Sequence, residues 1–180
     1  YGWLGVQIGD LEEPLYPGAK ADFKLQDRNG AFIINVYKGS PAGKSGMLPG
    51  DYITRIGGQT VRDKDQLTRI VGNLPAGKDY EIQLIRNGEP KTFSIKLAIR
   101  EDEKDIVAQN KNLWPGFSAV PLAAQWRERI KLPESLRGVL VIEVQEGSPA
   151  ALTGIRQGDV ILKINDRDTT GLADFYRQLN

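Results

Sequence analysis

Cysteine and histidine are both absent from this 180-residue chain. Without them the chain can hold no Ser-His-Asp triad, no thiol nucleophile and no histidine or thiolate metal site, which removes most hydrolase chemistry. The lack of cysteine fits an oxidising compartment and a reducing one equally well. A charge excess is missing too: 24 basic and 23 acidic side chains leave a net charge of +1, so nothing calls for nucleic acid or an anionic membrane. No apolar run approaches the roughly 18 to 20 residues that span a bilayer, and no signal peptide heads the sequence. The expectation is a soluble chain whose start at Tyr1 reads as a cut.

What is present is a phrase used twice. KGSPAGKSGMLPGD (Lys38 to Asp51) returns as EGSPAALTGIRQGD (Glu146 to Asp159), and Gly30 to Ile56 aligns without gaps with Gly138 to Ile164. One register over that length implies one supersecondary unit built twice, in two domains of roughly 70 to 100 residues. The shared residues have folding roles. Ser40 and Ser148 suit helix N-caps, with Pro41 and Pro149 at the first helical position. Gly46 and Gly154 suit left-handed helix ends, with Met47 and Ile155 making the apolar contact that follows. Gly50-Asp51 and Gly158-Asp159 then turn the chain into the short strands Tyr52 to Ile56 and Val160 to Ile164.

Each phrase follows a strand, AFIINV (Ala31 to Val36) or VLVIEV (Val139 to Val144), and precedes an amphipathic helix. In the first copy Asp63 and Gln66 resemble a capping box, Leu67, Ile70 and Val71 form the apolar face, and Gly72 is expected to stop the helix. The second copy repeats the face with Leu172, Phe175, Tyr176 and Leu179. Only the first runs on into a hairpin, YEIQLIR and EPKTFSIKL around Asn87-Gly88. Upstream, Trp3-Leu4-Gly5-Val6 corresponds to Trp114-Pro115-Gly116-Phe117, each followed by a strand and a short helix expected to open at Pro17 or Pro121. Residues Arg100 to Asp105 and Gln109 to Asn112 read as a hydrophilic linker. The expected division is 1–100, a linker at 101–112, and 113–180 with its terminal hairpin missing.

This order of parts resembles the bacterial, circularly permuted PDZ domain, and two in tandem resemble the C-terminal half of HtrA/Deg family serine proteases. The resemblance covers residues 1 to 98 and 113 to 180. It implies a mainly β fold with short helices (α+β), each domain a partly open β-barrel or sandwich. It also implies periplasmic or otherwise extracytoplasmic protein quality control, with a trypsin-like protease domain N-terminal to Tyr1. The parent is then a trimer-based homo-oligomer assembled chiefly through that domain. GSPAxxxGΦxxGD also marks the PDZ domains of tail-specific and site-2 proteases. A stand-alone scaffold with two peptide pockets stays open as an alternative.

A PDZ domain adds an extended peptide to a sheet edge and holds its terminal carboxylate in a loop of backbone N–H groups. Carried onto this sequence, the resemblance makes Leu4, Gly5 and Val6 the donors and Val6 to Gly9, with Gln7 and Ile8, the receiving strand. Leu4, Val6 and Ile8 with Leu67, Ile70 and Val71 would line the pocket, although all six can equally fill a core. The partners implied are C-termini or extended segments of misfolded proteins and the protease domain of the same chain. The second copy offers Gly116, Phe117, Phe175 and Leu179, of which Phe175 and Leu179 also suit a plain core. Its Pro115 has no N–H, and one lost donor to a carboxylate weakens capture by about 10- to 150-fold. The first copy is therefore the expected receptor.

Other chemistry is weaker. Ser40 and Lys44 lie one helical turn apart, as a Ser-Lys dyad would, but Lys44 becomes Leu152 in the second copy while the serine stays, as a cap does. Glu12-Glu13 and Glu101-Asp102-Glu103 lack the glycine and oxygen spacing of a calcium loop, so no metal and no cofactor is expected. Trp3 and Trp114 suit either ligand contact or packing beneath the loops.

Overall fold

The computed structural model describes residues 2–99, 104 and 110–180. Tyr1 lies outside the described residues, as does the hydrophilic stretch between the repeats through Gln109, apart from Lys104. Among the described residues the chain is mainly β with several short helices, and its sheets stay open rather than closing into barrels.

The strand before the first phrase, β2 (Ala31–Tyr37), organises everything around it. It pairs antiparallel with β1 (Val6–Gly9) on one side and β3 (Tyr52–Ile56) on the other. Beyond β3 come β5 (Asp79–Arg86) and β6 (Glu89–Lys96), while the two-residue β4 (Gln59–Thr60) pairs with β3. Asn87 and Gly88 both take positive φ, 55° and 81°, the requirement of the two-residue turn that joins β5 to β6. Ala31 and Ile33 enter a core with Leu67, Val71, Ile82, Leu84 and Ile95, whereas Phe32 enters a second one. Burial on both faces is why AFIINVY runs apolar without the alternation of a half-exposed strand.

The repeated phrase folds alike in both copies. Ser40 caps α2 (Pro41–Ser45) by accepting from the Gly43 N–H at 3.1 Å, and Ser148 accepts from the Ala151 N–H at 3.2 Å. Gly46 and Gly154 end the turns at φ 92° and 94°. Asp51 Oδ2 accepts from the Leu48 N–H and Asp159 Oδ2 from the Arg156 N–H, both at 2.8 Å, so the aspartate of each Gly-Asp pair closes the turn it follows.

The copies differ in what surrounds that aspartate. Asp159 is exposed, but Asp51 is 1% exposed and held by Arg86 at 2.8 Å through both carboxylate oxygens. Burial raises the Asp51 carboxyl above its ordinary range, and the hydrogen bonds from Arg86 and Leu48 oppose the rise without cancelling it. A raised folded-state pKa contributes stability that is present at acidic pH and lost as pH rises. Arg86→Leu removes the opposing charge, so it should enlarge that loss. We expect a deficit of about 2 to 3 kcal/mol near neutrality, below the range for fully enclosed pairs because the Arg86 side chain is 22% exposed. Urea unfolding at acidic and neutral pH checks this; a deficit that grows on acidification contradicts the assignment.

Three local expectations are corrected. The helix α3 (Lys64–Asn73) runs through Gly72 and ends at Leu74, because Gly72 keeps a helical φ. Asp63 does cap it, accepting from the Gln66 N–H at 2.7 Å, but the Gln66 side chain reaches back to the Arg62 N–H rather than to that of Asp63. Pro17 and Pro121 do not open helices. The first helix, α1 (Ala19–Asp22), begins after Gly18, and Pro121 is the last residue of β8 (Phe117–Pro121), with α4 (Ala124–Ile130) following.

The second repeat is docked on the first. Its β7 (Leu113–Trp114) joins the first sheet, with Trp114 opposite Val36 and Leu113 opposite Tyr37. Its own three-stranded sheet orders β10 (Val160–Ile161), β9 (Val139–Val144) and β8, beside the small β11 (Lys163–Ile164) and β12 (Arg167–Asp168) pair. Helix α5 (Pro149–Leu152) corresponds to α2. The last helix, α6 (Leu172–Leu179), has no capping side chain of its own; Asp22 of α1 supplies one, accepting from the Ala173 N–H at 2.9 Å. At its other end Asn180 Nδ2 donates to the Pro49 carbonyl at 2.7 Å. Between these clasps Tyr176 is buried against Phe23, Phe32 and Phe175, with ring centroids 6.2, 5.3 and 5.1 Å away.

Candidate functional site

A groove runs between β1 and α3, closed at one end by residues 2–5. Two fastenings set its shape. At the closed end Trp3 and Ala98 exchange backbone hydrogen bonds at 3.1 and 3.2 Å. At the far end Asp10 Oδ1 accepts from the Lys64 N–H at 2.9 Å, tying the strand to the start of the helix.

The repeated phrase holds the closing loop. The Ala42 N–H donates to the Leu4 carbonyl at 2.9 Å and the Tyr37 N–H to the Gly5 carbonyl at 3.0 Å. Ser40 Oγ donates to the Tyr37 carbonyl at 2.6 Å and lies 3.4 Å from that of Gly5. Gly5 sits at φ 89°, and a Cβ there would collide with the Ser40 side chain, so close approach and backbone conformation both demand glycine. Ser40 is fully buried in these bonds. Its hydroxyl is structural, and the dyad with Lys44 has no support.

The carbonyls of this loop are fastened, but its amides are not. Among the described residues the Leu4 and Gly5 N–H groups donate to no partner. The Tyr37 N–H bonds the Gly5 carbonyl, so in the alternating ladder the next pair, Val6/Val36, is a non-bonded one, and the Val6 N–H and C=O face away from β2. Three consecutive residues thus present unpaired donors beside an unpaired strand edge.

Next to them lies a cavity of about 360 Å³ lined by Gly2, Trp3, Leu4, Gly5, Val6, Ile8, Leu67, Thr68, Val71 and Gly72. It gathers Leu4, Gly5, Val6, Ile8, Leu67 and Val71 from the residues the sequence singled out. Ile70 instead turns into the core, and the Gln7 side chain bonds to Asn35. The sequence reading missed Gly2, Thr68 and Gly72. Thr68 and Gly72, four apart, extend the helix face already marked by Leu67 and Val71. A Cβ at Gly72 would meet nothing within 4 Å, so the glycine keeps the groove open. Trp3 lines the cavity while also packing 6.1 Å from the Tyr37 ring.

The corresponding loop of the second copy is built by the same contacts: Ala150 N–H to the Pro115 carbonyl at 3.1 Å, Gln145 N–H to that of Gly116 at 2.7 Å, and Ser148 Oγ to Gly116 at 3.3 Å. Its surroundings are different. The Gly116 N–H donates to Asn35 Oδ1 of the first repeat at 2.8 Å. Phe117 and Phe175 pack together 5.8 Å apart in the core shared between repeats, with Leu179 against it. Trp114 carries Lys38 Nζ 5.7 Å from its ring centroid.

Strand, helix and glycine-hinged amide loop surround an apolar groove in the first copy, and the second copy repeats the loop with its glycine amide bonded to the first. The chain belongs to the PDZ domain family, whose profile matches residues 2–97 and 108–180. Among curated proteins it is similar to the probable periplasmic serine endoprotease DegP-like of Marinomonas sp. (strain MWYL1), 32% identical over 177 residues, and to that of Pseudomonas putida (strain W619), 32% identical over 183 residues. Each match covers 97% of this chain and 36% of the relative, so the chain spans about a third of their length. Among solved structures, a form of the HtrA-type protease AlgW with a decapeptide matches at TM-score 0.50 and 29% identity, over 55% of this chain and 29% of that one.

Proposed function

We propose that this chain is the peptide-receiving part of an HtrA/Deg-type periplasmic serine endopeptidase, organised as a first PDZ domain over 1–100, a linker over 101–112 and a second PDZ domain over 113–180. The first domain captures a C-terminus or extended segment of an unfolded protein. Residues Val6 to Gly9 take the peptide as an added strand, and the Leu4, Gly5 and Val6 amides take its terminal carboxylate. Leu4, Val6, Ile8, Leu67 and Val71, with Trp3 and Gly72, receive the last side chain. Hydrolysis belongs to a protease domain elsewhere in the same polypeptide, which capture serves by tethering the segment or by activating that domain.

The observation that carries this reading is the coincidence of unpaired amides, free strand edge and apolar cavity at one place. The decapeptide with the AlgW match supports it. A pair of ten-residue peptides, identical except for a free or amidated C-terminus and ending in valine, tests it by calorimetry. Each charge-assisted hydrogen bond contributes about 1.5 to 3 kcal/mol, so losing even one through amidation should weaken binding by about 10- to 150-fold. Equal affinities would rule out carboxylate capture by this loop.

A further inference from the structure

We propose that Asn35 is a positioning residue through which docking of the second repeat tightens the peptide groove of the first. The proposal rests on the peptide-receiving reading given above.

Asn35 lies in the middle of β2 and is fully buried. Its orientation follows from chemistry. The Gly116 backbone N–H can only donate, so the atom 2.8 Å from it is the amide oxygen. The amide nitrogen must then face Gln7, whose Oε1 accepts at 2.9 Å. One planar carboxamide thereby joins the second repeat's loop to the strand on which the peptide would pair.

That strand needs the support where it receives it. The pairing of β1 with β2 slips between Gln7 and Ile8, where Gln7 faces Asn35 but Ile8 faces Ile33. A bulge interrupts the ladder and bends the strand, so the side-chain bond at Gln7 holds β1 at its weakest point. The aligned residue in the second copy is Glu143, which is exposed, so the repeated fold does not itself call for an amide here. Asparagine at this position matches the contact between repeats.

The consequence is reciprocal coupling. With Gly116 withdrawn, the Asn35 carboxamide loses the partner that fixes its rotamer, and Gln7 loses a rigid anchor. A peptide then has to order β1 as it binds. By linkage, a peptide that orders β1 must also strengthen the docking of the second repeat.

The test uses the whole chain and a ten-residue free-carboxylate peptide ending in valine. In the unaltered protein, saturating peptide should slow hydrogen exchange at the Gly116 amide and at Ala173 in α6, remote from the groove. In Asn35→Leu, similar in size but without either bond, affinity should fall by about 2- to 30-fold, and the exchange effect at Gly116 and Ala173 should disappear. A folded Asn35→Leu chain with unchanged affinity overturns the proposal. So does peptide binding to the unaltered chain without any change at Gly116 or Ala173, a measurement that needs no variant to fold. If the unaltered chain binds no such peptide, the peptide-receiving reading itself fails and the coupling with it.

Discussion

Tyr176→Ala is expected to cost about 3 to 5 kcal/mol, the range for deleting a large buried ring, and to separate the two repeats as it does so. Tyr176 belongs to the second repeat, yet its ring meets Phe23 and Phe32 of the first as well as Phe175. It also presses on Gly50, where a Cβ would come within 2.8 Å of the Tyr176 Cβ. Gly158, the copy of Gly50 in the second phrase, has open space at the same point. The turn itself calls for glycine in both copies, at φ 97° and 92°, and in the first the missing side chain also leaves room for this ring. Its loss leaves a cavity in the core that the two repeats share, beside the contacts made by β7, the Asp22 cap, the Asn180 clasp and the bond from Gly116 to Asn35. Tyr176→Phe keeps the ring and should lose far less. Denaturant unfolding followed by signals from each repeat distinguishes the outcomes: one shared transition in the unaltered chain, and two in Tyr176→Ala. A single unshifted transition in Tyr176→Ala would mean that the interface adds little to stability.

How much of this was legible in the sequence depends on the distance over which each residue acts. Ser40, Pro41, Gly46 and Asp51 each have a role within their own turn, and the local chemistry of caps and left-handed residues was enough to assign it, though not the reach of Ser40 to Gly5 or of Asp51 to Arg86. The continuous apolar run AFIINVY announced a strand covered on both faces, but not all that covers it: Phe32 meets Tyr16 and Phe23 nearby, and also Tyr176, which lies far along the chain and reads as one face of its own helix. Phe117 and Phe175 show the same ambiguity: their spacing fits a pocket wall or a core, and only the packed arrangement puts them in the core. Gly72 was misread because glycine stops many helices; here its value lies in the absent side chain rather than in a turn. Asn35 is a polar letter in an apolar strand, which signals a buried hydrogen bond, yet both partners are remote in sequence. The link from the phrase to the groove was hidden for the same reason. Ser40 and Ala42 touch Leu4 and Gly5 across the fold, so the phrase that builds a corner also holds the loop beside it.

That hold makes Gly5→Ala the second large effect. An alanine at φ 89° carries a left-handed cost of about 1 to 2 kcal/mol, and here its Cβ also meets the Ser40 side chain. Ser40 cannot yield, since it caps α2 and is fully buried, so the loop must move instead. Strain of that kind adds about 1 to 3 kcal/mol. Movement of the loop also turns the Leu4 and Gly5 amides away from a common point, and losing two charge-assisted bonds should weaken capture of a terminal carboxylate by on the order of 100-fold or more. Gly18→Ala is the matched control: its φ is 69° but a Cβ there meets nothing within 4 Å, so it bears the backbone cost alone, away from the groove. Calorimetric titration of both variants with a free-carboxylate peptide, beside their unfolding curves, separates the two contributions. The expected result is a modest stability loss with intact binding for Gly18→Ala, and near-complete loss of binding in a still-folded Gly5→Ala. Should Gly5→Ala bind as tightly as the unaltered chain, the carboxylate is held elsewhere than in the Leu4-Gly5-Val6 loop.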